Sequence, residues 1–191
     1  ILLYSFLSKI CLSEFCVGLT YGPLLFGGVN YVMTKTISAD IFILAIPTMI
    51  MTVVLLYIHT VMDFEFDLNE GHKTIANSFD SQLDSLIVLK IFLILAYISV
   101  ALLCIFDITD WQVFMSWFTI PLAVDLYKSM KDYSVDSKSV PDKKWYHHPM
   151  ENMQRIEKLG AESFMIRMYQ SRNLMIYFSI FLALGLILAN L

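Results

Sequence analysis

The sequence predicts an all-α fold, a polytopic bundle of transmembrane helices, and two observations support this prediction. Charged residues make up 16% of the 191 residues and hydrophobic residues 58%, with a mean hydropathy of +0.66, whereas a soluble domain has about 25% charged residues. The apolar residues also form long runs, and about 20 of them in a helix cross a bilayer. The lipid bilayer is therefore the expected surrounding, and no nucleic-acid partner is expected at a net charge of -4.

Five apolar stretches are predicted to cross the membrane. The fourth is short and needs its flanks to complete a span, and the third contains Lys90 near its start, where a long side chain reaches the interface. Residues 1–8 are interpreted as the end of an earlier helix, so residues 1–191 are expected to be the C-terminal part of a single membrane-embedded domain. The five predicted spans cover residues 15–33, 41–62, 85–106, 111–124 and 173–191.

The distribution of basic residues predicts the orientation of the bundle. Residues 128–172 contain nine Lys and Arg residues, whereas the loops 34–40 and 107–110 contain one and none. Because cytoplasmic loops collect Lys and Arg, the loop 128–172 is predicted to be cytoplasmic. The loop 63–84 lies two spans earlier, so it is expected on the same side.

A linker is predicted over residues 132–149, because this stretch is polar and contains proline. His147 and His148 follow two aromatic residues, which is typical of an aromatic patch at the membrane interface. No third ligand at metal spacing accompanies the two histidines. Asp125 lies close to the cytoplasmic end of its span and is expected to be solvated; the alternative is that it faces an active-site cavity.

The acidic segment, residues 63–74, begins where the second complete span ends. Asp63 and Asp67 are four residues apart, so they share one face of a continuing helix. Two such carboxylates can hold Mg²⁺, which commonly joins one or two carboxylates to substrate phosphates. Gly71 permits a turn that would bring Lys73 back toward them, and a lysine beside Mg²⁺ neutralises a leaving diphosphate. The alternative is an ordinary solvated acidic loop, since this spacing alone is a weak motif.

The acidic segment resembles the second aspartate-rich motif of the UbiA-type intramembrane prenyltransferases. In that motif a DxxxD pair is followed at fixed spacing by Gly-x-(Lys/Arg)-(Ser/Thr), matched here by Asp63, Asp67 and Gly71 to Thr74. Residues 13–27 resemble the preceding segment of the menaquinone branch (1,4-dihydroxy-2-naphthoate prenyltransferase-like), where a Gly-Glu pair leads into Phe-Gly-Pro. The resemblance covers most of residues 1–120 and fades beyond them.

The resemblance implies an all-helical fold of nine spans, about five of which are complete in this chain. Carried over by position, Asp63 and Asp67 would bind Mg²⁺ and Lys73 would contact the diphosphate. Tyr4 and Lys9 are similar to a Tyr-xxx-Lys element of the family, with one extra residue between them, and are candidate substrate-binding residues.

The chain departs from the menaquinone branch at several positions. Ser13 stands where the branch has Gly, His59 and Thr60 where it has paired asparagines, and Met62 where it has Arg. The family's first Asn/Asp-rich motif is expected upstream of Ile1, and without it the fragment alone is expected to be inactive.

The implied function is Mg²⁺-dependent transfer of a prenyl chain from an isoprenoid diphosphate to an aromatic acceptor in the synthesis of a menaquinone-like quinone. One alternative is a membrane transporter or assembly subunit with an acidic cytoplasmic loop. A transporter typically has charges or broken helices near mid-membrane, whereas these carboxylates cluster at one face. CDP-alcohol phosphotransferases also use intramembrane aspartates, but their Asp-Gly-xx-Ala-Arg signature and the Gly four residues before Asp63 are missing from the sequence.

Overall fold

The structure of the protein is a computed structural model that describes residues 13–191; the candidate residues Tyr4 and Lys9 lie outside the described residues. Every regular element in residues 13–191 is helical. Four continuous helical segments in this range are long and apolar enough to cross a membrane: Glu14–Thr34, Ala39–Met62, Gln82–Ile105 and Glu162–Ala189. The predicted all-α membrane bundle is therefore confirmed.

The α-helices of the described residues, in chain order, are α1 (Ser13–Leu19), α2 (Leu25–Thr34), α3 (Ala39–Leu44), α4 (Ile46–Met62), α5 (Phe64–Glu70), α6 (Gln82–Ile105), α7 (Ile120–Val135), α8 (Met153–Lys158) and α9 (Glu162–Ala189). A π-helical turn, Thr20–Leu24, joins α1 to α2, and a 3₁₀ helix, Trp111–Thr119, precedes α7. Short 3₁₀ turns also occur at Ala76–Ser78 and Trp145–His147.

The π-helical turn in the first described span coincides with Pro23. Proline cannot donate a backbone hydrogen bond and its ring clashes with the preceding turn, so the helix widens there. Gly22 packs directly on α4, where a Cβ atom would lie 2.6 Å from the Cβ atom of Met49. The absence of a side chain at Gly22 thus lets the distorted span approach α4 closely.

The core lies where α4, α6, α7 and α9 meet, and buried aromatic side chains join these helices. The Tyr57 hydroxyl of α4 donates to the Ser85 carbonyl of α6 at 2.8 Å. The Tyr97 hydroxyl of α6 is hydrogen-bonded to Thr119 Oγ1 at 2.9 Å, and its ring packs edge-on against Phe178 of α9. The hydroxyls of these two buried tyrosines therefore both have a partner, as burial requires.

The fourth predicted span is not one α-helix, because its first part is the 3₁₀ helix Trp111–Thr119 and its second part is α7. Pro121 at the start of α7 cannot donate to the preceding turn. Gly185 of α9 approaches so closely that a Cβ atom there would lie 2.5 Å from the Gln112 carbonyl oxygen. At the usual rises per residue the two helices together extend roughly 40 Å, enough to cross the membrane.

The connection between α7 and α9 is shorter than the predicted loop 128–172. Helix α7 continues to Val135 and α9 begins at Glu162 rather than at residue 173, so the connection is residues 136–161, named here the docked loop. The predicted linker, residues 132–149, is wrong as a description of this stretch. It packs on the bundle, with Ser163 Oγ of α9 donating to the Ser137 carbonyl at 2.6 Å.

The acidic segment and the docked loop lie at the same end of the bundle. Gln82 Nε2 at the start of α6 donates to the Val61 carbonyl near the end of α4 at 2.6 Å. The Tyr133 hydroxyl near the end of α7 is 3.4 Å from the Met62 carbonyl oxygen. The imidazole of His59 also packs edge-on against Phe164 of α9, with 5.5 Å between ring centroids.

Candidate active site

Asp63 and Asp67 occupy one helical face at the end of α4. Asp63 separates α4 from α5, with φ -89° and ψ 9°, yet the backbone bonds of an α-helix continue across it. The Asp63 amide donates to the His59 carbonyl at 3.0 Å, and the Asp67 amide donates to the Asp63 carbonyl at 2.8 Å. The predicted one-turn spacing of the two carboxylates is therefore present in the structure.

The two aspartates differ in burial. The Asp67 side chain is 12% exposed and that of Asp63 is 35% exposed. Asp67 shares the buried face of α5 with Phe64, while the neighbouring Glu65 is exposed. Burying a carboxylate is costly unless it is paired or coordinates a metal. The burial of Asp67 therefore indicates a binding site more strongly than that of Asp63.

Each aspartate has a histidine partner that the sequence analysis missed. His59 Nδ1 lies 2.8 Å from Asp63 Oδ2, and His72 Nδ1 lies 3.3 Å from Asp67 Oδ1. The i,i+4 spacing of His59 and Asp63 is a signal that could have found the first pair. The His72 pair depends on a turn and has no equivalent signal. Each histidine contacts one carboxylate oxygen, which leaves the other oxygen of each aspartate for a further ligand.

A glycine turn ends α5 and places His72 on Asp67. Gly71 has φ 72°, which favours glycine. Its amide donates to the Leu68 carbonyl at 3.3 Å and the His72 amide donates to the Asp67 carbonyl at 2.9 Å, the pair of bonds that commonly closes a helix. The turn predicted at Gly71 is present, but it returns His72 rather than Lys73 to the carboxylates.

Lys73 is held on a structured loop with its side chain exposed. Asn77 Oδ1 accepts from the Thr74 amide at 2.8 Å, and Thr74 Oγ1 accepts from the Asn77 amide at 3.2 Å. Within residues 13–191, Lys73 makes no ion pair with either aspartate. The loop therefore leaves the Lys73 ammonium exposed and not paired with either aspartate.

The carboxylate pair fits the ligand chemistry of Mg²⁺ only in part. No group of three or more His, Cys, Asp and Glu side chains in the described part of the chain could hold a metal ion. Mg²⁺ commonly binds one or two carboxylates and completes its shell with water and substrate phosphates. Asp63 and Asp67 would therefore supply only part of the ligand shell of a substrate-bound Mg²⁺, and they do not form a metal site by themselves.

Asp125 and His147 differ from their predictions because the docked loop covers them. Asp125 is ion-paired with Lys144 and accepts from the Tyr146 hydroxyl at 2.9 Å, so it is not simply solvated. His147 is fully buried rather than part of an interfacial patch, and its Nδ1 accepts from the Lys144 amide at 3.2 Å. Burial lowers the pKa of His147, and the hydrogen bond with Asp125 raises the pKa of Lys144.

Arg167 of α9 holds the docked loop and was assigned no role from the sequence. Its guanidinium is fully buried and lies over the Tyr133 ring, 4.9 Å from the centroid. It donates to the Ser129 carbonyl at 2.9 Å, the Ser139 carbonyl at 2.9 Å and the Ser163 carbonyl at 2.8 Å. These three carbonyls belong to α7, the docked loop and α9, so one side chain fastens the loop to both helices.

The fold and this end of the bundle define an integral membrane protein with a carboxylate pair at the end of one span. The model of the UbiA prenyltransferase family matches residues 1–152, and the chain belongs to this family. Membership supports prenyl transfer as the activity. No curated protein and no solved structure matches the chain.

Proposed function

We propose that the protein carries out Mg²⁺-dependent transfer of a prenyl chain from an isoprenoid diphosphate to an aromatic acceptor, in the synthesis of a menaquinone-like quinone. One observation carries the proposal: Asp63 and Asp67 lie one turn apart at the end of a membrane helix, each with an oxygen not contacted by its histidine. Family membership supports it and does not favour the transporter alternative.

Asp63 and Asp67 would hold Mg²⁺, which when bound would neutralise charge on the leaving diphosphate. Lys73 would bind the diphosphate, because its exposed side chain lies on an ordered loop that directly follows α5, the helix of Asp67, in the chain. The allylic C–O bond breaks and its electron pair leaves with the diphosphate. The electron-rich ring then forms a C–C bond to the allylic cation. It regains aromaticity by giving up its ring proton, for which the released diphosphate is the acceptor that the reaction supplies. Apolar helices around the site would keep water from the cation.

Further parts of the proposal concern what surrounds these residues. Tyr4 and Lys9 are proposed to contact the substrate, and the acidic segment and docked loop to be cytoplasmic in a multi-pass protein. Residues 1–191 are proposed to belong to one membrane-embedded domain. Since two carboxylates leave a Mg²⁺–diphosphate cluster with few protein ligands, we expect acidic residues on another helix to face Asp63.

The test compares Asp67→Asn with Glu65→Gln, an exposed carboxylate two residues away on the same helix. Both substitutions are introduced into the intact protein, which is assayed in membranes for transfer of labelled allylic diphosphates to lipid-soluble aromatic product, with and without Mg²⁺. Asp67→Asn is expected to lower the rate at least roughly 100-fold, about 2.7 kcal/mol of transition-state stabilisation. Glu65→Gln is expected to retain the wild-type rate.

A thermal-unfolding measurement accompanies each assay, because a lost rate is informative only where the fold is retained. Asp67→Asn keeps the shape of the side chain and its contact with His72, so its unfolding midpoint is expected near that of the wild type. A wild-type rate in Asp67→Asn would mean that the acidic segment is an ordinary solvated acidic loop. Equal losses in Asp67→Asn and Glu65→Gln would also contradict the assigned roles.

A further inference from the structure

A groove of about 420 Å³ lies between α6 and α7, away from the acidic segment's carboxylates. Its walls are apolar along most of their length, with Ile94 of α6 and Val124 of α7 exposed in it. Lys90, Lys128 and Lys131 also line it. The groove therefore combines an apolar surface with three cations and no carboxylate among the residues that line it.

The charges and the apolar side chains occupy different ends of the groove. On α6, Lys90, Ile94 and Tyr97 follow one another at helical spacing, so they share a face. On α7 the order is reversed, from Ile120 through Val124 to Lys128 and beyond. Because α6 and α7 run in opposite directions, the lysines collect at the end where α6 begins and α7 ends.

The depth of the lysines suits a membrane interface. Lys90 lies roughly 12 Å along α6 from its start, and Lys131 roughly 6 Å from the end of α7, at the usual helical rise. Lysine side chains at such depths extend toward the headgroups while their methylene groups remain on apolar surface. The groove would thus present ammonium groups near headgroup level and apolar walls below them.

The three lysines lack partners within the protein. Across residues 13–191, no hydrogen bond or ion pair involves the ammonium groups of Lys90, Lys128 or Lys131. Lys143 and Lys144 of the docked loop, in contrast, each pair with a carboxylate. Three unpaired cations beside one groove repel one another, and an anion among them would relieve this repulsion.

We propose that this groove binds an anionic phospholipid, with its phosphate among Lys90, Lys128 and Lys131 and an acyl chain along Ile94 and Val124. Basic pockets between membrane helices suit such headgroups, because a phosphodiester needs cations and hydrogen-bond donors. An isoprenoid diphosphate fits less well, since its bound Mg²⁺ requires carboxylates that the groove does not supply. The proposal rests on the membrane fold and is independent of the proposed reaction.

The experiment measures lipid binding to the purified protein by native mass spectrometry in detergent. Phosphatidylglycerol and phosphatidylcholine with identical acyl chains are titrated separately, and geranyl diphosphate forms a third arm. The test variant is Lys90→Gln/Lys128→Gln/Lys131→Gln. Its charge-matched control is Lys138→Gln/Arg155→Gln/Lys158→Gln, which removes three exposed cations outside the groove. A second pair is Ile94→Trp, which fills the groove, and Ile98→Trp, which places the same ring on α6 outside it.

One saturable phosphatidylglycerol site is expected in the wild type, at least roughly tenfold tighter than any phosphatidylcholine site. The lysine variant is expected to weaken it on the order of 100-fold, since each lysine near a headgroup contributes several-fold. Ile94→Trp is expected to weaken it at least roughly tenfold, and both controls to leave it unchanged. If the triple variant does not fold, Lys128→Gln alone replaces it, with a several-fold loss expected.

Three results would overturn the proposal. The first is equal binding of phosphatidylcholine, which would mean that charge plays no part. The second is an equal loss in the charge-matched control, which would mean general attraction to a basic protein. The third is displacement of phosphatidylglycerol by geranyl diphosphate at a site weakened by the lysine variant, which would make the groove a substrate site.

Discussion

The docked loop and the acidic segment meet at one end of the bundle, but their charges are satisfied differently. Asp125, under the docked loop, binds Lys144 and Tyr146, and the buried Arg167 donates to carbonyls from three elements. In the acidic segment, Asp63 and Asp67 each contact one histidine and Lys73 pairs with neither. The charged groups under the docked loop are paired within the protein, whereas each aspartate of the acidic segment has one carboxylate oxygen that its histidine does not contact.

This difference indicates which charges hold the fold and which are available for chemistry. A buried charge with several good hydrogen bonds is costly to remove, because its partners then lose theirs. A charged side chain with only some of its hydrogen bonds made contributes less to the stability of the fold, but it can bind a substrate. Substitutions in the docked loop are therefore expected to change stability, and substitutions in the acidic segment to change activity.

The largest effect on stability is expected from Arg167→Met. Methionine fills much of the same volume but leaves the carbonyls of Ser129 and Ser139 without their donor, which is expected to cost about 2–4 kcal/mol. The exposed Arg155→Met is the matched control, with an expected change within about 0.5 kcal/mol. Unfolding in detergent, followed by circular dichroism, measures both. Similar midpoints for the two variants would show that Arg167 does not hold the loop.

A direct comparison of the two regions uses Asp125→Ala and Asp67→Ala. Asp125→Ala removes the partner of Lys144 and Tyr146 and is expected to destabilise the protein by about 1–3 kcal/mol. Asp67→Ala removes a half-satisfied carboxylate and is expected to cost little stability while abolishing activity. The same unfolding assay, run beside prenyl transfer, checks both. The reverse pattern, with Asp67→Ala the less stable of the two, would contradict the division between the regions.

A smaller effect on activity is expected from Lys73→Gln, because Lys73 is not paired with either aspartate. Loss of one cation near the diphosphate is expected to raise KM for the prenyl diphosphate about tenfold, or about 1.4 kcal/mol. The unfolding midpoint is expected to remain unchanged. Steady-state kinetics at saturating Mg²⁺ measure KM, and Lys138→Gln, an exposed lysine of the docked loop, is the control. An unchanged KM would remove Lys73 from the proposed site.

The smallest expected effect is a loss of stability at acidic pH that originates in the docked loop. Burial lowers the pKa of His147 below its usual 6.5, although Asp125 partly opposes this and Lys144 and His148 add to it. Below about pH 6.5 the unfolded chain therefore binds more protons than the folded one, so stability falls as the pH falls. Unfolding midpoints from pH 7.5 to 5.5 are expected to decline less in His147→Gln than in the wild type. The exposed His148→Gln removes only the smallest of these contributions to the His147 pKa, so its unfolding midpoint is expected to decline almost as much as that of the wild type.

Much of the fold is predictable from the sequence because each membrane helix is a continuous run of apolar residues. The spans at residues 41–62 and 85–106 agree with Ala39–Met62 and Gln82–Ile105 to within a few residues. The fourth span was harder, since its first part is a 3₁₀ helix that packs closely on Gly185 of α9, a contact that no local sequence pattern indicates. The early start of α9 was missed because residues 162–172 contain three charged residues, which packing nevertheless buries or half-buries.

The sequence by itself determined most of the spans, the spacing of Asp63 and Asp67, and the turn at Gly71, because each depends on residues within a few positions of one another. Only the tertiary structure decided which charges are satisfied. The partners are far apart in the sequence. Asp125 binds Lys144, 19 residues away, and Gln170, 45 residues away. Arg167 binds Ser129, 38 residues away. Such pairs have no sequence periodicity, since they form only when helices and loop pack together, and packing decides whether a charge has a partner.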